Sequence, residues 1–180
     1  IGGYNEVGKN MTAVEVDNEV VIFDMGLYLP KLLSYEEGDP RDLDEHALKR
    51  IGVIPNDKIL ENKNIKAIVL GHGHLDHIGA VPYLAKKYNC PVIGTPYTLG
   101  ILQGLLDERK IVLKNMVKLN ANSDFQISKN LKLEFIHITH SILQSAISVL
   151  HTKEGKFVYT LDFKLDNHPI LVKRIDFSRL

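Results

Sequence analysis

Three of the chain's eight histidines fall between positions 72 and 77, in the run Gly71-His72-Gly73-His74-Leu75-Asp76-His77. Imidazole nitrogens and a carboxylate are donors suited to zinc and similar divalent cations. His72 and His74 stand two apart in a loop leaving a strand, so an extended backbone aims both rings the same way. Asp76 and His77, at the entry to a helix, turn toward a second point nearby. The spacing predicts two adjacent half-sites rather than one closed tetrahedral site. Closed structural zinc sites are mostly rich in cysteine, and this run has none; open coordination positions point to catalysis. A surface loop is the plain alternative for any one of these histidines. Four ligand-type residues flanked by Gly71, Gly73 and Gly79 outweigh it.

Two cations need more donors. His140 follows a strand ending near Ile138, and Asp162 ends the apolar strand Phe157 to Leu161. Both are strand-end positions, where side chains from different strands converge. A carboxylate can bridge cations ~3.5–4 Å apart, which makes Asp162 the candidate bridge and His140 the further donor to the first ion. Asp24, at another strand end, is better suited to accept a hydrogen bond from a ligand imidazole and so orient it. Taken singly, Asp24 and Asp162 could cap strand–loop junctions and His140 could be a bonded turn residue. His137 and His151 alternate with apolar strand residues, His46 sits among charges as solvated surface, and His168 belongs to a turn, with a place on the substrate side as its second reading.

The elements that must position these residues are legible in the apolar pattern. Thr12 to Asp17 and Val20 to Asp24 read as an antiparallel hairpin through Asp17-Asn18. Gly26 breaks the second strand, and Gly2-Gly3 with Gly8 marks tight turns before the first. The stretch from Leu32 to Asn64 is a polar insert with one helix signal: a capping box of Asp42 and Glu45, a stripe of Leu43, Ala47, Leu48 and Ile51, and a stop at Gly52. Ile65 to Leu70 is a strand leading into the histidine loop. Ile78, Val81, Leu84, Ala85 and Tyr88 recur at helical spacing. Pro91 to Gly94 reads as a strand and Pro96 to Lys110 as a helix. Further strands are expected around Met116 to Leu119, Phe125 to Ile127, Leu131 to Ile138, Ala146 to His151 and Lys156 to Leu161. A hairpin, then strand–helix units, then more strands predicts an α/β sandwich in one domain or part of one.

Composition agrees. The 180 residues are 44% apolar and 24% charged, with 22 basic side chains balancing 22 acidic ones. Such a chain can bury roughly 70% of its unfolded surface without disulfides. Its zero formal charge removes any global electrostatic argument for nucleic acid. Cys90, the one cysteine, reads as a small buried hydrophobe and agrees with a reducing compartment. No run reaches the ~18 apolar residues of a membrane span, and no signal peptide opens the chain, so the cytoplasm is expected. The first residue is Ile1 rather than methionine.

The histidine run resembles the signature of the metallo-β-lactamase superfamily. More narrowly, Gly2-Gly3-Tyr4-Asn5-Glu6-Val7-Gly8-Lys9-Asn10-Met11 is similar to the opening of the ribonuclease J family. So are Phe23-Asp24-Met25-Gly26-Leu27, Ile138-Thr139-His140-Ser141 and Asp162-Phe163-Lys164-Leu165-Asp166, in the family's order. Thr139-His140-Ser141 followed by Leu143-Gln144-Ser145 points to its archaeal branch.

This resemblance implies an αββα sandwich with a dimetal site at one edge. Residues 1–180 would be the N-terminal portion of the metallo-β-lactamase domain. The β-CASP domain, the rest of the sandwich and a late histidine ligand are expected beyond Leu180. It implies a zinc-dependent nuclease, with two ions per site and manganese as the other candidate. Such an enzyme degrades RNA from the 5′ end to nucleoside monophosphates through a dimetal-activated hydroxide, in RNA processing or decay. Carried over, His72, His74 and His140 would hold one ion and Asp76 and His77 the other. Asp162 would bridge them, Asp24 would stand behind, and Asp76 or Asp162 would take the water's proton. RNA is the implied partner, with a homodimer also expected. Leu161 stands where the family pattern leads one to expect a smaller or polar residue. A small-molecule hydrolase acting on a thioester or lactone is the alternative on the same fold. A piece that binds RNA or a partner without turnover is the non-enzyme alternative.

Overall fold

A computed structural model describes residues 1–39 and 42–179. Among the described residues, nine strands form two sheets. The first has the order β1 (Thr12–Val16), β2 (Glu19–Phe23), β3 (Ile65–Leu70), β4 (Val92–Gly94) and β5 (Met116–Lys118). Its β1–β2 pair is antiparallel and the rest parallel. The second is an antiparallel meander of β6 (Ser123–Gln126), β7 (Lys132–His137), β8 (Ala146–Thr152) and β9 (Gly155–Tyr159). The β1–β2 turn has positive φ at both Asp17 (49°) and Asn18 (64°). That geometry suits the right-handed twist of a two-residue hairpin.

The period of two along each strand builds the layers. Val21, Phe23, Ala67, Val69 and Ile93 face Leu131, Leu133, Phe135, Ala146 and Leu150 between the sheets. The alternate residues Val20, Ile22, Ile68, Leu70 and Val92 turn the other way. They pack under the helical layer, which supplies Leu48, Ile78, Val81, Leu84, Leu99, Leu102 and Leu106. Its helices are α1 (Leu29–Leu33), α2 (Glu45–Arg50), α3 (Leu75–Ile78), α4 (Val81–Leu84) and α5 (Pro96–Glu108). Each large apolar side chain so buried contributes about 1.5–3 kcal/mol. On the outer face of the second sheet, Ile136, Ile138, Ile147 and Val149 are buried with Ile175 against them. No α-helix follows β9 among the described residues. Three layers of the expected four-layer sandwich are therefore present, a partial αββα fold.

Three local expectations need correction. The cap of α2 is Asp44, whose carboxylate accepts from the Ala47 amide at 2.8 Å, not Asp42. The helix expected from Ile78 to Tyr88 is two single turns and a 3-10 segment. Val81 and Leu84 are buried as their spacing predicts, but Pro82 lacks the amide hydrogen that a continuous helix would need there. Cys90 is half-buried rather than fully enclosed, at the edge of the helix-side core, and burial pushes its thiol up to about 11.

Candidate metal centre

Strand polarity brings the chemistry to one edge. Phe23 pairs with Val69, and Leu70 with Gly94, so parallel β2, β3 and β4 end together. Such carboxyl ends are where open α/β sheets place their ligands. Asp24 directly follows β2 and the histidine loop follows β3. In the second sheet, β7 and β9 both run antiparallel to the β8 between them. They are therefore parallel to one another and deliver His140 and Asp162 to a common edge. The Ala146 amide at the start of β8 donates to the Gly71 carbonyl at 3.0 Å, which joins the two sheets beside the site.

Two groups of potential ligand atoms result. His72, His74 and His140 form one, and His72, His77 and Asp162 the other; within each, the ligand atoms lie within 4.8 Å of one another. His72 Nε2 is 3.1 Å from His74 Nδ1, which is 3.3 Å from His140 Nε2. His77 Nε2 lies 3.5 Å from Asp76 Oδ2 and 3.6 Å from Asp162 Oδ2. All six predicted donors meet at this edge. Asp162 is the most open of them, its side chain 53% exposed, while His72 is fully buried.

Asp24 is buried with φ of 61°, and a short polar side chain tolerates that left-handed backbone. The turn presents both carboxylate oxygens to the site. Oδ2 accepts from His77 Nδ1 at 2.7 Å and Oδ1 from the Gly71 amide at 3.3 Å. The Tyr159 hydroxyl also favours the charged form of this carboxylate. Burial opposes charge on His77, but Asp24, with Asp76 and Asp162 beyond, outweighs it and lifts the His77 pKa to about 9. With its Nδ1 hydrogen held by Asp24, the ring turns Nε2 toward the cluster, as an oriented metal ligand does.

His72 behaves in the opposite way. Burial, then the neighbouring His77, His74 and His140 rings, push its pKa down to about 2. His140 is likewise lowered by burial and by His74. The other ring nitrogen of His72, Nδ1, is buried with no hydrogen-bond partner. Ring nitrogens thus converge within hydrogen-bond distance while protonation is disfavoured at the centre. Imidazole nitrogens converging on one point, with His72 and His140 kept from protonation and carboxylates beside them, fit a divalent cation.

Leu161 holds φ of 59°, unusual for a branched residue, and carries the chain from β9 into Asp162. A Cβ on Gly71 would fall 1.9 Å from Leu161 Cδ1, so the glycine makes room for the leucine. Two neighbours of the site escaped the sequence reading. Asn10 places Nδ2 3.4 Å from Asp76 Oδ2 and 3.1 Å from His77 Nε2. Tyr159 reaches Asp24 from strand β9. Asn10 stood within the Gly2–Met11 block, but neither residue is of a metal-ligating type or spacing. The other histidines lie outside both ligand groups. His151 contacts Glu134 at 2.8 Å and His137 the Lys173 carbonyl at 2.8 Å. His46 is exposed. His168 lines a cavity of about 720 Å³ that His140 also lines, with Ile142, Leu143 and Lys164.

Comparison with known proteins agrees with this geometry. The family model described as "Metallo-beta-lactamase superfamily" matches residues 4–164. The chain is 50% identical to "Ribonuclease J" of Methanocaldococcus jannaschii, over 100% of this chain and 41% of that protein. It is 46% identical to "Ribonuclease J" of Pyrococcus abyssi, again over 100% of this chain and 41% of the relative. The chain therefore spans about two fifths of the length of these relatives. Among solved structures, a protein of unknown function from Enterococcus faecalis V583 superposes with a TM-score of 0.65 at 21% identity. That match covers 88% of this chain and 41% of the other, and it speaks for the fold alone. The resemblance to ribonuclease J seen in four short blocks thus extends along the whole chain. With the family model spanning nearly all of it and the histidine cluster at the shared sheet edge, the chain belongs to the metallo-β-lactamase superfamily.

Proposed function

We propose that residues 1–180 are the N-terminal portion of the metallo-β-lactamase domain of a ribonuclease J-type enzyme. It hydrolyses RNA phosphodiester bonds from the 5′ end and releases nucleoside monophosphates, in RNA processing or decay. The observation that carries this reading is the pair of ligand groups sharing His72, on a chain half identical to ribonuclease J along its full length. The β-CASP domain of such an enzyme would come from sequence beyond Leu180. The working ions are zinc, two per site, with manganese the alternative, and the compartment is the cytoplasm. Among the described residues, no helix is long and apolar enough to cross a membrane. A homodimer belongs to the same proposal.

His72, His74 and His140 would hold one ion, Asp76 and His77 the other, and Asp162 would stand between them. Bound divalent ions supply a lowered water pKa and neutralise charge developing on the phosphoryl oxygens. Asp24 keeps the Nδ1 hydrogen of His77 in place, so the tautomer is set before substrate arrives. Asp76 Oδ2 and Asp162 Oδ2 lie 3.5 and 3.6 Å from His77 Nε2. Either can accept the attacking water's proton. The half-exposed Asp162 leaves the site open to a polymeric substrate, and the cavity beside His140 offers room for the nucleotide next to the scissile bond.

The test is hydrolysis of 5′-phosphorylated RNA by the full-length protein, read as release of nucleoside monophosphates. Metal content is measured alongside by elemental analysis, on parent and His74→Ala. Two equivalents with RNA turnover, both reduced in the variant, support the reading. Turnover of a thioester or lactone with no RNA cleavage replaces it with the small-molecule hydrolase. RNA binding with neither metal nor turnover replaces it with a binding module.

A further inference from the structure

We infer that Asn10 is a positioning residue for the second half of the metal centre, holding Asp76 and His77 in the arrangement that receives the second cation. The inference rests on the metal-centre reading above and adds a residue to it. The argument starts from the shortness of α3. A helix of four residues, Leu75–Ile78, cannot fix its own geometry through internal hydrogen bonds. Yet it carries two of the ligands. Its backbone is held from outside instead. The Leu27 amide donates to the Leu75 carbonyl at 3.0 Å, and the Met25 amide to the His77 carbonyl at 2.7 Å. Between these, the Asp76 carbonyl accepts from the Asn10 amide at 3.1 Å and from Asn10 Nδ2 at 3.0 Å.

The same Nδ2 then reaches both side chains. It lies 3.4 Å from Asp76 Oδ2 and 3.1 Å from His77 Nε2. A side-chain amide nitrogen only donates, so its bond to Asp76 Oδ2 aims that carboxylate, while the 3.1 Å contact sets where the edge of the His77 ring lies beside it. Were His77 to hold a cation, the hydrogen bonds from Asn10 to Asp76 Oδ2 and to the Asp76 carbonyl would remain available. Asn10 thus performs for Asp76 what Asp24 performs for His77.

The glycines around the N-terminal loop make this contact possible. A Cβ on Gly26 would lie 1.5 Å from the Asp76 carbonyl oxygen and 2.8 Å from the Asn10 amide. A Cβ on Gly3, whose φ is 85°, would lie 2.3 Å from Asn10 Oδ1. The Gly26 amide donates to the Asn10 carbonyl at 2.9 Å and completes the clamp. These turns look like ordinary tight corners in the sequence. Their common product is the placement of one amide against two ligands.

The test is a zinc titration of the full-length protein against a competing chromophoric chelator, which resolves two binding steps. Cobalt absorption follows the coordination at each step. Asn10→Ala is compared with Asn5→Ala, an exposed asparagine of the same loop. In Asn10→Ala the second step is expected to weaken roughly ten- to hundred-fold. The first step, the melting temperature of the metal-free protein and both steps in Asn5→Ala should keep their parental values. Two unchanged steps in Asn10→Ala would overturn this inference alone. So would equal weakening of both steps with a lowered metal-free melting temperature, because that pattern describes a fold defect. A parent that takes up no second zinc would overturn the metal-centre reading and this inference together.

Discussion

Two clusters of ionisable side chains sit at opposite ends of the parallel strands and are built on contrary principles. Asp57 and Tyr88 precede β3 and β4, and there the carboxylates of Asp57 and Glu45 are answered by lysines. Asp57 is buried, with Lys49 at 2.5 Å and Lys87 at 2.7 Å, and the Tyr88 hydroxyl donates to it. Glu45 meets the same two lysines at 2.6 and 2.8 Å. At the carboxyl ends, the rings of His72, His74, His77 and His140 crowd together, and the buried Nδ1 of His72 has no partner. Burial disfavours charge on Asp57, but Lys49, Lys87 and Tyr88 hold its carboxyl below the usual range. At the other end, burial and like neighbours push His72 the opposite way from a stabilised charge. The lesson is that an internally satisfied cluster fastens a fold, whereas a convergent, unsatisfied one reserves its lone pairs for something the chain does not supply.

The difference can be broken from either side. The largest effect is expected at the satisfied end. Asp57→Ala leaves two lysines facing only Glu45 and should cost about 3 kcal/mol, since losing one partner of a buried pair costs about 3–5 kcal/mol. Chemical denaturation of the metal-free protein measures it, and zinc binding should be untouched at protein concentrations where the variant stays folded. His74→Ala should show the mirror image. It loses more than about 100-fold in zinc affinity, beyond what removing an outer partner costs, while metal-free stability holds or rises because a crowded basic ring is gone. Asp24→Asn comes next. The loss of its carboxylate charge beside His77 should weaken zinc binding roughly 10–100-fold, read by the same chelator competition.

The pH dependence of metal-free stability sharpens the comparison. His72 is lowered to about 2 in the folded chain, against about 6.5 when unfolded. Below about 6.5 the unfolded chain takes a proton that the fold refuses, so this group makes stability fall as pH drops. His77 is raised to about 9. Its contribution is fully present below about 6.5 and is lost as pH rises through about 9. Metal-free stability should therefore peak near pH 6.5 and decline on both sides, and denaturation midpoints between pH 5 and 9 test this. Asp57 acts in a separate window. Its depressed pKa contributes stability above about 4, lost as pH falls through its folded value. The smallest effect is expected at Lys63, which meets Glu15 at 2.7 Å with both side chains about two fifths exposed. Lys63→Ala should cost less than about 1 kcal/mol.

Much of the site was legible because metal ligation restricts side-chain chemistry so strongly. The run from His72 to His77 announces itself by residue type and spacing, and Asp24, His140 and Asp162 are marked by the strand ends they follow. Strand positions were equally readable from apolar runs and from alternation such as Leu133 with Glu134 and Phe135. Asn10 and Tyr159 were not legible as site residues, because an amide or a phenol acts there only through what it touches. Asp44 in place of Asp42 as the helix cap was decided by the path of the chain into α2. The break-up of the expected 78–88 helix followed from packing and from the missing amide hydrogen at Pro82.

The amino-acid sequence by itself determined the donors, their grouping along the chain, and the alternation that separates helix-side from sheet-side apolar residues. These are properties of local chemistry and of the two backbone periods. Only the tertiary structure decided that β7 and β9, parallel to each other across β8, deliver His140 and Asp162 to the edge where parallel β3 releases its histidines. Only it placed an amide sixty-six residues away from Asp76 against that carboxylate. Convergence of this kind depends on strand polarity and layer packing, which are set by the whole core rather than by any residue that uses the result.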